Sequence, residues 1–169
     1  MANFLSVRRV NGFRDLPYSS RFPEFLSQVQ GSNIRLLAQA RNKRNVEVAM
    51  SGCLALVGIG GKPGHRRVGV AHLEATGNLA ETRLVVRQVC SHTGLDARFI
   101  VVGMPPLTSR EVFRPRAFTF IKAALAEQGV ELRGKDVVRH YDESGAFHVR
   151  VNPAGRTNVF LIPNLVGRI

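Results

Sequence analysis

The sequence predicts a single domain of the mixed α and β class in which strands outnumber helices. Its 169 residues are enough for one domain with a substantial core and too few for two. Hydrophobic residues make up 44% of the chain, a share typical of folded globular proteins. Short apolar runs separated by turn residues recur along the chain, and two longer segments show the spacing of an amphipathic helix.

The chain is strongly basic, and part of this charge lies at its start. Lys and Arg total 24 against 12 Asp and Glu, which gives a net charge of +12 and a pI near 11.3. Residues 1–45 carry about half of that net charge. Within them, turn signals at Asn11-Gly12 and Pro17 predict a basic N-terminal arm over residues 1–21, its flexibility left open, ahead of a domain over 22–169.

A positive surface of this kind predicts an acidic partner: nucleic acid, an anionic membrane or an acidic protein face. No RNA-recognition, zinc-finger or helix-turn-helix pattern selects nucleic acid. No apolar run approaches the roughly 18 residues of a membrane span, and the first residues lack the apolar core of a secretory signal. We therefore expect a cytoplasmic protein, with a secreted effector as the alternative.

The first half of the predicted domain is organised around a ribbon of two strands. Before it, Pro23–Gln30 predicts a short helix, and residues 33–43 fit either a short helix or a strand. Val46–Ile59 alternates and then becomes continuously apolar, as a strand buried on both faces does. Val68–Leu73 is predicted as the second strand, and the glycine-rich segment Gly58–Gly64 as the turn between them.

The second half predicts two helices among short strands. A helix is expected from Asn78 to about His92, with Gly94 as its stop, and Arg116–Gln128 has apolar residues at helical spacing. The remaining predicted strands are Arg98–Met104, Val130–Arg133, Val137–Tyr141, Phe147–Val151 and Thr157–Ile162, with a loop over Leu107–Pro115.

Cys53 and His72 are the candidate catalytic residues. Cys53 follows Ser51-Gly52 on the first strand of the ribbon, and His72 lies near the end of the second, so the two arms bring them side by side. In such a pair the imidazole takes the thiol proton and the thiolate attacks. We therefore expect a depressed pKa for Cys53 and faster alkylation than at Cys90. The small residues before Cys53 leave room for a substrate carbonyl near a backbone N–H that would hold an oxyanion.

The other motifs give weaker signals. Cys90 lies in the apolar stripe of a predicted helix and is expected in the core. Two cysteines supply neither a disulfide framework nor a zinc site. The glycine-rich turn is not a phosphate-binding loop, because Pro63 follows Lys62 where Ser or Thr is needed. The other histidines are expected in the turn (His65), at a helix C-terminus (His92) and on tail strands (His140, His148).

The ribbon resembles the chemoreceptor glutamine deamidase family CheD, over roughly Val46 to Ile162. In that family a Gly-Ser-Cys strand is followed, after a hairpin, by a Gly-x-x-His strand; here the two elements are Ser51-Gly52-Cys53 and Gly69-Val70-Ala71-His72. The order Ser-Gly-Cys is closer to the Leu-x-Gly-Cys of bacterial toxin deamidases such as the cytotoxic necrotizing factors and Burkholderia lethal factor. Downstream, FIVVGM, the helix RAFTFIKAALAEQGVEL and the tail FHVRVNPAGRTNVFLI follow the CheD layout.

The resemblance implies a β-sandwich flanked by helices and hydrolytic deamidation of protein glutamine, with no metal or organic cofactor. Cys53 would attack the side-chain amide, and His72 would act first as base and then as acid. The substrate would be a chemoreceptor or a host protein with an acidic surface. The family places a threonine six residues before the cysteine to orient the histidine, and here that position is Glu47. Glu47 is therefore either a carboxylate that holds the imidazole or a solvated strand residue.

The rival hypothesis is a binding module without catalysis. It would be a catalytically silent CheD-like scaffold or a basic nucleic-acid or protein binder that shares the fold. The net charge of +12 and the missing threonine motivate it.

Overall fold

Two five-stranded β-sheets and two α-helices make up the part of the chain that the computed structural model describes, residues 3–18, 23–26, 32–107, 115–142 and 145–163. The strands are β1 (Leu5–Arg9), β2 (Glu24–Phe25), β3 (Asn33–Ala38), β4 (Val46–Met50), β5 (Leu54–Gly60), β6 (Arg67–Leu73), β7 (Arg98–Met104), β8 (Val137–Arg139), β9 (Gly145–Val151) and β10 (Thr157–Pro163). The helices are α1 (Leu79–Thr93) and α2 (Arg116–Glu127), and short 3-10 turns cover Phe13–Asp15 and Gly134–Asp136.

The strands form two mixed sheets. The first has the order β1-β10-β9-β4-β2, and the second has the order β3-β6-β5-β7-β8. The pairs β1–β10, β2–β4 and β7–β8 are parallel, and the other neighbours are antiparallel. β5 lies at the centre of the second sheet and is buried along its whole length, which explains its continuous apolar sequence.

The sheets pack face to face over one apolar layer, and the helices cover the other face of the second sheet. The inter-sheet core takes residues from both sheets, among them Val48, Val57 and Val149. The second layer joins residues of β5, β6 and β7 to α1 and α2, among them Val86 and Ile121. The α+β class and the sandwich flanked by helices are therefore confirmed.

The predicted strand Val46–Ile59 is wrong as a single element. It is broken at Ser51-Gly52-Cys53 into β4 and β5, which belong to different sheets. Gly52 has φ 79°, a left-handed conformation that glycine adopts without a steric penalty and that turns the chain from one layer to the other. Because β4 and β5 are both largely buried and apolar, the hydrophobic pattern does not change at the break and does not reveal it.

Two other segments also differ from expectation. The helix predicted over Pro23–Gln30 is wrong at Glu24–Phe25, which form β2 beside β4, while residues 27–30 lie outside the described ranges. Val130–Arg133 is not a strand and leads into the turn at Gly134–Asp136. The open choice at residues 33–43 resolves as a strand over Asn33–Ala38, which pairs with β6, and as a turn and loop over residues 39–43. Inside the predicted arm, Leu5–Arg9 form β1 along β10.

The two longer predicted helices, Asn78 to about His92 and Arg116–Gln128, are confirmed as α1 and α2. The side chain of Asn78 accepts a hydrogen bond from the Glu81 N–H at 3.1 Å and so caps the start of α1. Gly94 ends that helix with φ 93°. In the part of the chain that is described, neither helix is both long and apolar enough to cross a membrane.

Candidate active site

Cys53 and His72 project toward the same layer of the molecule, at one end of the β5–β6 pair. Val68 and Val70 of β6 lie in the inter-sheet core, so His72, two residues further on, faces the same side. Cys53 precedes β5 and is partly buried against that core. His72 pairs with Ala55, which makes Cys53 its diagonal neighbour. Diagonal neighbours on one face are separated by roughly 7–8 Å, within reach of a long side chain.

His72 is a buried histidine whose ring forms no hydrogen bond with the described part of the chain. Its residue is 4% exposed, and neither ring nitrogen has a hydrogen-bond partner among the described residues. Burial lowers the pKa of His72, because the charged ring loses hydration. The backbone of Leu26, close to the ring but outside hydrogen-bond geometry, opposes this shift in pKa, as does the Glu74 carboxylate. The ring is therefore held neutral, as a base must be.

The expected depressed pKa of Cys53 is wrong for this structure. Burial raises the pKa of the Cys53 thiol, the backbone of Ala75 opposes that shift, and the Glu74 carboxylate adds to it. A raised thiol pKa and a lowered imidazole pKa together favour the neutral pair over a thiolate–imidazolium pair. No local pattern in the sequence indicates this shift in pKa, because it depends on burial and on a carboxylate from a neighbouring strand end.

Glu47 does not act on His72, and it is not a solvated residue either. Its strand neighbours Val46 and Val48 lie in the inter-sheet core, so Glu47 points to the opposite face of the first sheet. There it is 2% exposed, and its Oε2 lies 2.9 Å from His148 Nε2. Its Oε1 lies 2.7 Å from Arg150 Nε, an ion pair whose angle falls outside hydrogen-bond geometry. Both expectations for Glu47 are therefore wrong.

Two polar residues near the pair were missed by sequence reasoning. Leu54 of β5 pairs with Leu73 of β6, and Glu74 follows Leu73, opposite Cys53. The Glu74 carboxylate affects the pKa of both Cys53 and His72. Asn33 of β3 pairs directly with His72 on its other side. Glu74 could have been found from the sequence, because it lies two residues after His72 and a strand places such residues on the same face. Asn33 could not, because its proximity to His72 depends on the β3–β6 pairing.

Gly103 allows β7 to approach the backbone of Cys53. A Cβ at Gly103 would lie 2.4 Å from the Cys53 carbonyl oxygen, and its φ is 116°. The β7–β8 register shifts between Val102 and Met104, so Gly103 lies at an irregularity of the strand. The position of the cysteine therefore depends on the absence of a side chain on a neighbouring strand.

The remaining cysteine and histidines have structural surroundings. Cys90 is 2% exposed in the layer between α1, α2 and the second sheet, as predicted. His65 is exposed in the turn of the ribbon. The other three histidines each have a partner for Nε2: the Leu37 carbonyl at 2.7 Å for His92, the Ile162 carbonyl at 3.1 Å for His140, and the Glu47 carboxylate at 2.9 Å for His148. Among the described residues, no group of three or more His, Cys, Asp or Glu side chains is arranged to hold a metal ion.

Comparison with known proteins does not assign the chain to a family. No model of a known protein family matches the chain, and no curated protein matches it significantly.

Proposed function

We propose that the protein is a hydrolytic deamidase of protein glutamine, with Cys53 as nucleophile and His72 as general base. The observation that carries this proposal is the buried imidazole of His72, which has no hydrogen-bond partner among the described residues and faces the same layer as the partly exposed Cys53. Buried polar groups without a partner are rare and call for an explanation. A base kept ready for a neighbouring thiol supplies one.

The chemistry uses only the chain and water. His72 accepts the proton of the Cys53 thiol as the sulfur attacks the amide carbon of a glutamine side chain. The resulting imidazolium donates that proton to the leaving nitrogen, ammonia departs, and a thioester remains. His72 then accepts a proton from water, whose oxygen attacks the thioester carbon. The proton returns to sulfur as the C–S bond breaks, which gives glutamate and restores the enzyme.

The neutral resting pair suits this order of events. Since the pKa of Cys53 is raised and that of His72 is lowered, the proton stays on sulfur until a substrate carbonyl arrives. Proton transfer and attack then occur together, and the oxyanion is stabilised by backbone N–H groups near Gly52, in the connection between β4 and β5. An unliganded thiol that is not ionised is also protected from oxidation, which requires the thiolate.

The substrate class we propose is a protein with an acidic surface, either a chemoreceptor or a host protein. The net charge of +12 favours such a surface, because opposite charges steer association. The Ser51-Gly52-Cys53 and Gly69-Val70-Ala71-His72 elements support glutamine as the target through their resemblance to CheD and the toxin deamidases.

The test is a search by mass spectrometry for glutamines converted to glutamate in cell extracts. The extracts are incubated with wild-type protein, with Cys53→Ser, and with Cys90→Ala as a matched control for thiol loss. We expect the same converted sites with wild type and Cys90→Ala, and none with Cys53→Ser. Conversion that survives Cys53→Ser, or that is absent from all three samples, contradicts the proposal.

A second candidate is a basic binding module without catalysis. The net charge of +12 favours it, and so does Glu47, which stands in the place of the family's threonine but faces away from His72. If this is correct, wild type and Cys53→Ser bind an acidic partner equally, with an affinity that falls steeply as salt rises, and neither releases ammonia. Ammonia release by wild type alone excludes it.

A further inference from the structure

A second concave site lies at the other end of the ribbon from Cys53 and His72. β6 begins at Arg67, and His72 is five residues further along, so the two ends are roughly 17 Å apart. At the Arg67 end, the β3–β4 connection and the ribbon turn enclose a cavity of about 400 Å³. Its lining includes Gln39, Arg41, His65, Arg66, Arg67 and His92.

The cavity collects positive charge that has no counter-charge. Arg41, Arg66 and Arg67 line it, no carboxylate is among the lining residues, and none of the three guanidinium groups forms an ion pair within the described ranges. Elsewhere in the molecule Arg35, Arg83, Arg98 and Arg150 each contact a carboxylate. Like charges gathered in a concave wall repel one another and focus the field, so an anion bound there would relieve the repulsion.

The charge continues into a neighbouring hollow. Arg41 also lines this second cavity, of about 330 Å³, together with Arg44. Among the described residues that line it, the carboxylate is Glu24, which lies 2.6 Å from Arg35 Nε and is therefore already paired. Arg41 is thus shared by the two cavities.

Backbone and side-chain hydrogen bonds hold the walls of the cavity in place. Gln39 N–H donates to the Arg66 carbonyl at 2.8 Å, and Arg66 N–H donates to Gln39 Oε1 at 3.1 Å. The Arg66 guanidinium donates to the Gly61 carbonyl, and its Cζ lies 4.9 Å from the centre of the Phe4 ring. These contacts hold the Arg66 side chain in place and use one of its five N–H donors. A binding site held in place in this way loses little entropy when a ligand arrives.

We propose that this cavity binds a phosphate-bearing anion of about the size of a nucleotide. The guanidinium group matches a phosphate with two parallel hydrogen bonds, and three arginines from two chain segments line this cavity. The volume lies in the usual range for small-molecule sites, roughly 300–1,000 Å³. The site does not depend on the proposed deamidase activity, because it shares no residue with Cys53 and His72.

The experiment is a calorimetric titration at low ionic strength with three probes: inorganic pyrophosphate, ATP and a short single-stranded oligonucleotide. The double variant Arg41→Gln/Arg67→Gln removes two exposed guanidinium groups of the cavity. Its matched control, Lys122→Gln/Arg133→Gln, removes the same charge from exposed positions on the helix side. Thermal unfolding checks that both variants fold, and Cys53→Ser checks that binding is independent of the thiol.

We expect saturable binding to wild type and Cys53→Ser, about tenfold weaker or more in the Arg41/Arg67 variant and within about twofold of wild type in the control. Pyrophosphate and ATP binding more tightly than the oligonucleotide identify a free phosphate ligand. A tighter oligonucleotide with a steep salt dependence identifies the phosphates of nucleic acid. The proposal is overturned if no probe binds saturably, or if the control variant weakens binding as much as the cavity variant does.

Discussion

His72 and His148 are both buried on strands, yet their rings have opposite surroundings. Burial lowers the pKa of each. His148 lies on the outer face of the first sheet with its Nε2 on the Glu47 carboxylate, whereas His72 lies in the inter-sheet layer and neither of its nitrogens has a partner among the described residues. A buried histidine with a hydrogen-bonded partner stabilises the fold, and one that is buried without partners costs free energy and is available for chemistry. The difference separates a structural histidine from a candidate base.

The largest expected effect is on turnover, through His72 and Cys53. Cys53→Ser should abolish ammonia release, and His72→Ala should lower it by about 10²–10⁴-fold, because each removes a reacting group. Ammonia is measured with each converted substrate, and circular dichroism checks the fold. His148→Ala is the control and should retain turnover in whatever fraction remains folded. Equal losses in His72→Ala and His148→Ala would remove the distinction between the two rings.

On stability the order should reverse, and a matched pair of leucine variants tests it. His148→Leu leaves the buried Glu47 carboxylate without its imidazole, and we expect the free energy of unfolding to fall by about 3 kcal/mol. His72→Leu replaces a polar ring that has no partner by an apolar side chain of similar size, so stability should stay unchanged or rise. Urea unfolding at pH 7 measures both. A greater loss from His72→Leu would mean that His72 has a structural role.

Gly103 offers a smaller perturbation of the same site. Alanine there would place a Cβ against the Cys53 carbonyl oxygen and would force a left-handed φ on a non-glycine residue. We expect Gly103→Ala to cost about 1–3 kcal/mol of stability and to lower turnover beyond that loss, because the backbone of Cys53 must move. Gly129→Ala, also at positive φ but with nothing near its Cβ, is the control for the backbone strain alone. Equal effects of both on turnover would show that the contact with Cys53 is unimportant.

The smallest effect is a shift along the pH axis. The active form has one proton on the Cys53–His72 pair. The pKa of His72 is lowered from 6.5 and that of Cys53 is raised from 9.0. The rate should therefore be nearly constant from pH 6.5 to pH 9.0, and should fall only below the lowered pKa of His72 and above the raised pKa of Cys53. The Glu74 carboxylate raises both pKa values, so Glu74→Gln should move both limbs of the kcat/KM profile to lower pH. Limbs that move apart or stay in place would exclude Glu74 from the pair's electrostatics.

Local signals in the sequence located α1 and α2 and singled out Cys53 and His72 as candidates. Asn78 and Gly94 bound α1 through short-range hydrogen bonds, and the period of two along β6 put His72 on a definite face. The break at Gly52 was missed, since an apolar run does not show where a chain changes sheets. The partner of Glu47 was missed because His148 is 101 residues away, and only the β4–β9 pairing brings it near. Pairing over such distances is not visible in local periodicity.

Cys53 lies on the short segment that carries the chain from one sheet to the other, and the backbone of Leu26, the residue after β2 of the first sheet, lies close to the ring of His72 in the second. The gap between sulfur and imidazole is therefore tied to the thickness of the sandwich. Truncating a valine midway between the layers, far from any substrate, would loosen this spacing. We expect such a variant to fold and to unfold cooperatively, and yet to lose the arrangement of Cys53 and His72.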